Sequence, residues 1–134
     1  MIRYANENDL EILRKYDKHI REKELKDSIN NKRILVMFMK DVFIGWLRYS
    51  LFWDSEPFMN MLYFLEGYRG KGYGGQLIRY WEEEMTKSNY KRVLTSTLSN
   101  ERAQFFYRKN GYIDCGALLL PHEPLEIILL KNLE

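Results

Sequence analysis

The sequence predicts an α+β fold, with a central mixed and mostly antiparallel sheet of six to seven strands flanked by about four helices. Three observations predict it. Apolar, β-branched or aromatic runs of strand length recur at residues 34–39, 42–53, 58–65, 92–98, 112–120 and 125–130. Stretches with helical spacing of apolar residues separate only some of these runs. The early runs are joined by turn-length links and the later ones by whole helices. That order makes the first half of the sheet antiparallel and adds a parallel step across a crossover helix.

Residues 2–4 can form a short first strand. Asn6 or Asn8 can then cap a helix reaching about His19, with Leu10, Leu13 and Tyr16 near helical spacing. A more charged helix follows at 21–29. Lys40-Asp41 reads as a tight hairpin turn between the runs 34–39 and 42–53, and residues 54–57 break the chain before 58–65. A helix is expected over 76–87, with Leu77, Ile78, Trp81 and Met85 on one face. A strand at 92–98 leads to a helix over 100–109, closed by Asn110-Gly111. Two strands end the chain around residues 121–124. All three prolines, at 57, 121 and 124, are expected in connections.

At 134 residues the chain fits one domain, residues 1–134, long enough to bury a core without staples. Its composition, 46% hydrophobic and 30% charged, is that of a globular chain and not a disordered one. A net charge of +2 is too small to argue for nucleic acid or an anionic membrane as partner. No apolar run is long enough to span a bilayer. Cys115 is the only cysteine, so no intramolecular disulfide can form, and a cytoplasmic setting is expected. Cys115 itself reads as a small buried hydrophobe. His19 and His122 are isolated, so no metal site is expected.

The most informative stretch is 67–75, where five of nine residues are glycine: 67, 70, 72, 74 and 75. Glycines allow positive φ and close approach of a ligand to the backbone. The stretch lies between a predicted strand and a predicted helix start, where unpaired N–H groups and the helix dipole favour a phosphate. Arg69 and Lys71 add cationic donors. A solvated surface turn is the bland alternative. Residues 70–75 also fit G-x-G-x-x-G, but a dinucleotide fold needs an acidic residue about twenty positions on to hold a ribose. Thr95-Ser96-Thr97 stands there instead. A Walker loop is excluded, because no Gly-Lys-Ser/Thr occurs.

Arg69, Gly72 and Gly74 match [RQ]-x-x-G-x-[GA], and Asn100, Ala103, Phe106, Tyr107, Lys109, Gly111 and Tyr112 match N-x-x-A-x-x-[FLY]-Y-x-[KR]-x-G-[FY]. These two motifs, one helix and one strand apart, resemble those of the GNAT acetyltransferases. The resemblance is strongest over residues 58–112. It implies acetyl-CoA as co-substrate and transfer of the acetyl group to a primary amine by direct attack. Backbone groups near Phe64 and Leu65 would pair with the pantetheine arm, one N–H polarising the thioester carbonyl. Arg69, Gly70, Lys71, Gly72, Tyr73, Gly74 and Gly75 would hold the pyrophosphate. Asn100 would touch the pantetheine region, and Tyr107 would protonate the departing thiolate.

The chain departs from the family pattern within 58–65, which carries no carboxylate to act as base. Glu66, Glu56, Asp54 or water could take that role. Trp46, Tyr49, Phe52, Trp53, Phe58 and Tyr63 form core or line an acceptor pocket, and Arg48 meets an acidic acceptor group or lies on the sheet surface. Glu82-Glu83-Glu84 reads as a solvated helix face. The acceptor, an amine-bearing small molecule or a protein N-terminus or lysine, is not named by the sequence, and monomer and homodimer both stay open. Two alternatives accompany the enzyme: a non-catalytic acyl-CoA-binding or sensor module, and a nicotinamide-dinucleotide oxidoreductase.

Overall fold

A computed structural model describes all 134 residues. Its strands are β1 (Ile2–Tyr4), β2 (Ile34–Met39), β3 (Val42–Phe52), β4 (Glu56–Phe64), β5 (Arg92–Leu98), β6 (Ile113–Leu118) and β7 (Glu126–Asn132). The helices are α1 (Leu10–Tyr16), α2 (Glu22–Asn30), α3 (Tyr73–Lys87) and α4 (Ala103–Lys109), with one 3-10 turn at Glu7–Asp9. The strands form a seven-stranded mixed sheet in the order β1-β2-β3-β4-β5-β7-β6. This is the α+β architecture that the sequence predicts.

Two compact units divide the chain, residues 1–50 with 61–81 and residues 51–60 with 82–134. In the first, β1, β2 and β3 pair antiparallel. Lys40 and Asp41 both take positive φ, +49° and +67°, as a two-residue hairpin of primed type requires. The Asn6 side chain caps the first turn, and the Asp9 carboxylate answers with a bond from the Asn6 N–H at 2.8 Å. Leu13, Leu25 and Ile29 from the helices pack with Ile34, Val36, Phe43 and Trp46 of the strands. Each such side chain stabilises the fold by about 1.5–3 kcal/mol when fully buried. Gly45 is required on β3, because a Cβ there would lie 2.5 Å from the Phe64 ring.

In the second unit, β5 pairs antiparallel with β7 along its full length, and β7 pairs antiparallel with β6. β4 pairs parallel with β5 only at Phe58↔Leu94 and Met59↔Thr95. Tyr112 is buried and donates from its hydroxyl to Glu82 at 2.8 Å, while Lys131 donates to the other Glu82 oxygen at 2.9 Å.

Several expectations need correction. Pro57 lies inside β4 and not in the connection before it. It directly precedes the first pair with β5, where a missing N–H interrupts no bond to that strand. The third helix starts at Tyr73, three residues early, because Gly74 and Gly75 are helical rather than part of the loop. The fourth starts at Ala103, after a turn over residues 99–102. Glu82 is not solvated; its carboxylate is the buried acceptor of Tyr112 and Lys131. Cys115 is exposed, since it is the extra residue of a bulge in β6, all of whose residues are exposed.

Candidate functional site

The glycine stretch is built as an open loop. Gly67, Gly70 and Gly72 take φ of +94°, +70° and +88°, which L side chains rarely adopt. A Cβ added at Gly70 or Gly72 would meet nothing within 4 Å, so there is room against the backbone. Tyr68 N–H donates to the Leu65 carbonyl at 3.1 Å and Gln76 N–H to Gly72 at 3.2 Å. The amides of residues 69–75 between them donate to no backbone carbonyl. They run into the first turn of the fifteen-residue helix α3, whose dipole adds positive potential. Lys71 is exposed beside them.

Arg69 is folded back against the strand before the loop. Its Nε donates to the Phe64 carbonyl at 2.7 Å, and its guanidinium lies 4.8 Å from the Tyr63 ring centre. Tyr73 stacks on Phe64 with ring centres 6.4 Å apart. Phe64, Arg69 and Tyr73 are thus brought together at the end of β4. Leu65 does not offer the expected donor: its N–H is already given to the Ile44 carbonyl at 2.8 Å.

In the second unit, Tyr107 sits near the end of α4 and is 7% exposed. Burial pushes its hydroxyl up to about 12; a hydrogen bond with Thr95 opposes this and the charge of Glu101 adds to it. The Tyr107 hydroxyl is therefore neutral at physiological pH. Thr95 in turn donates to the Met59 carbonyl at 3.0 Å. Met59↔Thr95 is the last pair between β4 and β5, although β4 runs on to Phe64 and β5 to Leu98. The tyrosine hydroxyl accordingly lies where the two strands stop pairing. Asn100 is exposed in the turn that leads into α4. Gln104 holds that turn by donating to the Ser99 and Glu101 carbonyls at 2.8 Å each.

The three carboxylates considered as base are placed elsewhere or are solvated. Glu56 is paired with Arg92 at 2.7 Å. Asp54 is in the exposed turn before β4, and Glu66 is exposed just after it. Arg48 is neither a surface residue nor free for a substrate. It is 7% exposed and donates to Asp17 from Nε at 2.8 Å and from Nη2 at 3.3 Å. Of the aromatic residues, Trp46 and Tyr49 are core, whereas Trp53 is 78% exposed and Phe52 and Tyr63 are also exposed. Thr95 and Thr97, two buried polar side chains of β5, were not singled out from the sequence. The only available signal was three consecutive hydroxyl side chains inside an otherwise apolar strand.

The sequence model of the acetyltransferase (GNAT) family matches residues 4–112. No curated protein matches the chain in sequence. Among solved structures, a GNAT-family acetyltransferase from Bacillus cereus ATCC 10987 is 24% identical, with TM-score 0.79 over 98% of this chain and 96% of that one. A PaiA N-acetyltransferase from Thermoplasma acidophilum, solved in complex with coenzyme A, is 18% identical, with TM-score 0.79 over 98% of each chain. An aminoglycoside 6′-N-acetyltransferase, also complexed with coenzyme A, is 16% identical, with TM-score 0.81 over 100% of this chain and 97% of that one. These likenesses carry the fold, and with the match over 4–112 the chain belongs to the acetyltransferase (GNAT) family.

Proposed function

We propose that this chain is an N-acetyltransferase that uses acetyl-CoA and acetylates a primary amine. The observation that carries the reading is the loop at 67–75: positive-φ glycines, open space at Gly70 and Gly72, unpaired amides and a helix start combined in one place. These residues fit a pyrophosphate. Acetyl-CoA would supply an activated thioester that the amine attacks directly, so no covalent enzyme intermediate is required.

Each residue then has a distinct task. The amides of Arg69, Gly70, Lys71, Gly72, Tyr73, Gly74 and Gly75 bind the pyrophosphate, with Lys71 as a mobile counter-charge. Arg69 supports the loop by fixing the end of β4 through the Phe64 carbonyl. Tyr107, kept protonated by burial, donates its proton to the leaving sulfur, and the proton that the acylated nitrogen gives up to solvent balances the one that restores the hydroxyl. Asn100 contacts the pantetheine region. No side chain is assigned as base: the amine reaches the site neutral, after losing its proton to water. Residues 1–134 act as one domain, because all three unit boundaries, after residues 50, 60 and 81, cut through continuous elements, namely β3, β4 and α3.

Thermal unfolding with acetyl-CoA, CoA, ATP and NADH tests the reading. A ligand at one hundred times its Kd adds about 2.7 kcal/mol. A rise with acetyl-CoA and CoA alone, followed by CoA release in the presence of small primary amines or an N-terminal peptide, is the expected result. A rise with NADH alone, or with none of the four, contradicts it. CoA binding without release of CoA from any amine would leave the sensor alternative.

A further inference from the structure

The sheet has two free edges, and they are built differently. β1 is three residues long and carries Arg3, whose guanidinium is held by Asp9 at 2.7 Å. A short, charged edge discourages pairing with another chain. β6 is six residues long, and all six are exposed. Its one charged side chain, Asp114, is already neutralised by Arg108 through two bonds of 2.9 Å. Residues 115–121 carry no charged side chain, in a chain that is 30% charged. Ile113, Leu118, Leu119 and Leu120 are exposed at 65%, 49%, 86% and 44%. An apolar edge of this kind is left for another strand to cover.

The backbone of the edge is open at a definable point. Ser99 N–H donates to the Leu125 carbonyl at 2.7 Å, and Leu133 N–H to the Lys91 carbonyl at 2.9 Å. Odd-numbered residues of β7 therefore turn their backbone groups to β5, and even-numbered ones turn theirs to β6. Gly116↔Ile128 and Leu118↔Glu126 are thus the bonded pairs between β6 and β7, and the N–H and carbonyl of Ala117 face outward.

We propose that β6 is the dimerisation edge of this chain, pairing antiparallel with β6 of a second copy about a two-fold axis at Ala117. Such a pair is self-complementary, so each copy offers the other the same N–H and carbonyl. With Ala117 facing its own equivalent, Gly116 falls opposite the copy's Leu118. The side chains fit that register. A Cβ at Gly116 would meet nothing within 4 Å, so the copy's Leu118 finds room there. The charge-free run brings no like charges together across the seam. The pairing needs no CoA.

Sedimentation equilibrium of the full-length chain, from low to high micromolar concentration, tests it. We expect a concentration-dependent species of twice the chain mass and nothing larger, because a two-fold pair closes on itself. Ala117→Pro removes the outward N–H and leaves the bonded pairs with β7 in place. Leu118→Lys sets two cations on one face of the seam, and Gly116→Val fills the space kept for the copy's leucine. Each should weaken self-association by about tenfold or more while keeping the circular dichroism of the parent. Phe105→Lys, at a position 62% exposed on α4, should leave the dimer unchanged. Leu118→Lys, a substitution at an exposed side chain, decides the matter if Ala117→Pro does not fold. A parent chain that stays monomeric throughout, a dimer that survives Leu118→Lys, or one that is lost in Phe105→Lys alone overturns the proposal.

Discussion

Asp17 and Thr97 are both almost wholly buried, each 4% exposed, yet the fold treats them oppositely. The Asp17 carboxylate accepts from Arg48 Nε at 2.8 Å, Arg48 Nη2 at 3.3 Å, Trp46 Nε1 at 3.3 Å and the His19 N–H at 3.2 Å. It ties the end of α1 to the middle of β3. The Thr97 hydroxyl has no hydrogen-bond partner. The first arrangement is closed: every group the fold buries is used by the fold. The second is left open, two residues along β5 from Thr95. Asp17 is a structural knot, whereas the Thr97 hydroxyl keeps spare hydrogen-bonding capacity.

The largest effect should fall on the closed region. Asp17→Ala strands the Arg48 guanidinium in the interior, so it should cost about 3–5 kcal/mol in chemical unfolding. The double replacement Asp17→Leu with Arg48→Met should recover most of that loss. A small cost for the single change would break the contrast. In the open region, Tyr107→Phe should leave stability almost intact but lower kcat by about 100-fold or more. CoA affinity should stay within about twofold. A loss of CoA binding equal to the loss of rate would reduce Tyr107 to a contact residue.

Alkaline pH sharpens the same contrast. Burial raises Tyr107 to about 12 in the folded chain, above the ordinary tyrosine value of about 10. A group raised on folding contributes its stability fully below the unfolded value and loses it as pH rises toward the folded one. Stability should therefore fall between about pH 10 and 12, and Tyr107→Phe should flatten that fall in urea titrations at successive pH values. Burial and the Glu82 charge push Tyr112 upward as well, so Tyr112→Phe should flatten it further. The smallest effect concerns the loop. Gly72→Ala forces a side chain to φ of +88° and should cost about 1–2 kcal/mol. Gly116→Ala, with no positive φ and nothing within 4 Å of the added carbon, should be nearly neutral.

The loop could be read from the sequence because its constraint is local. Glycine spacing, a strand before and a helix after all lie within a few residues, and the structure has them there. The strand at 92–98 and the hairpin at Lys40-Asp41 were legible for the same reason. Long-range polar pairing was not. Asp17 looks like one more charge in a charged segment, and its partner Arg48 is 31 residues away. Glu82 looks like a solvated member of an acidic run until Tyr112 and Lys131, 30 and 49 residues on, close over it. Cys115 was misjudged because the burial of an edge strand depends on what packs against it, and nothing packs against β6 in this chain. The open hydroxyl of Thr97 depends on where pairing of β4 with β5 ends, which no residue pattern announces.

The central claim is that the free amides of the glycine loop hold the pyrophosphate of CoA. Titrating 15N-labelled protein with CoA and following each amide by NMR tests it most directly. The account predicts that the amides of residues 69–75 shift first and farthest, with those near Thr97 and Tyr107 following, while the amides around Asp17 stay in place. Loop amides that remain unmoved while CoA binds elsewhere would contradict it.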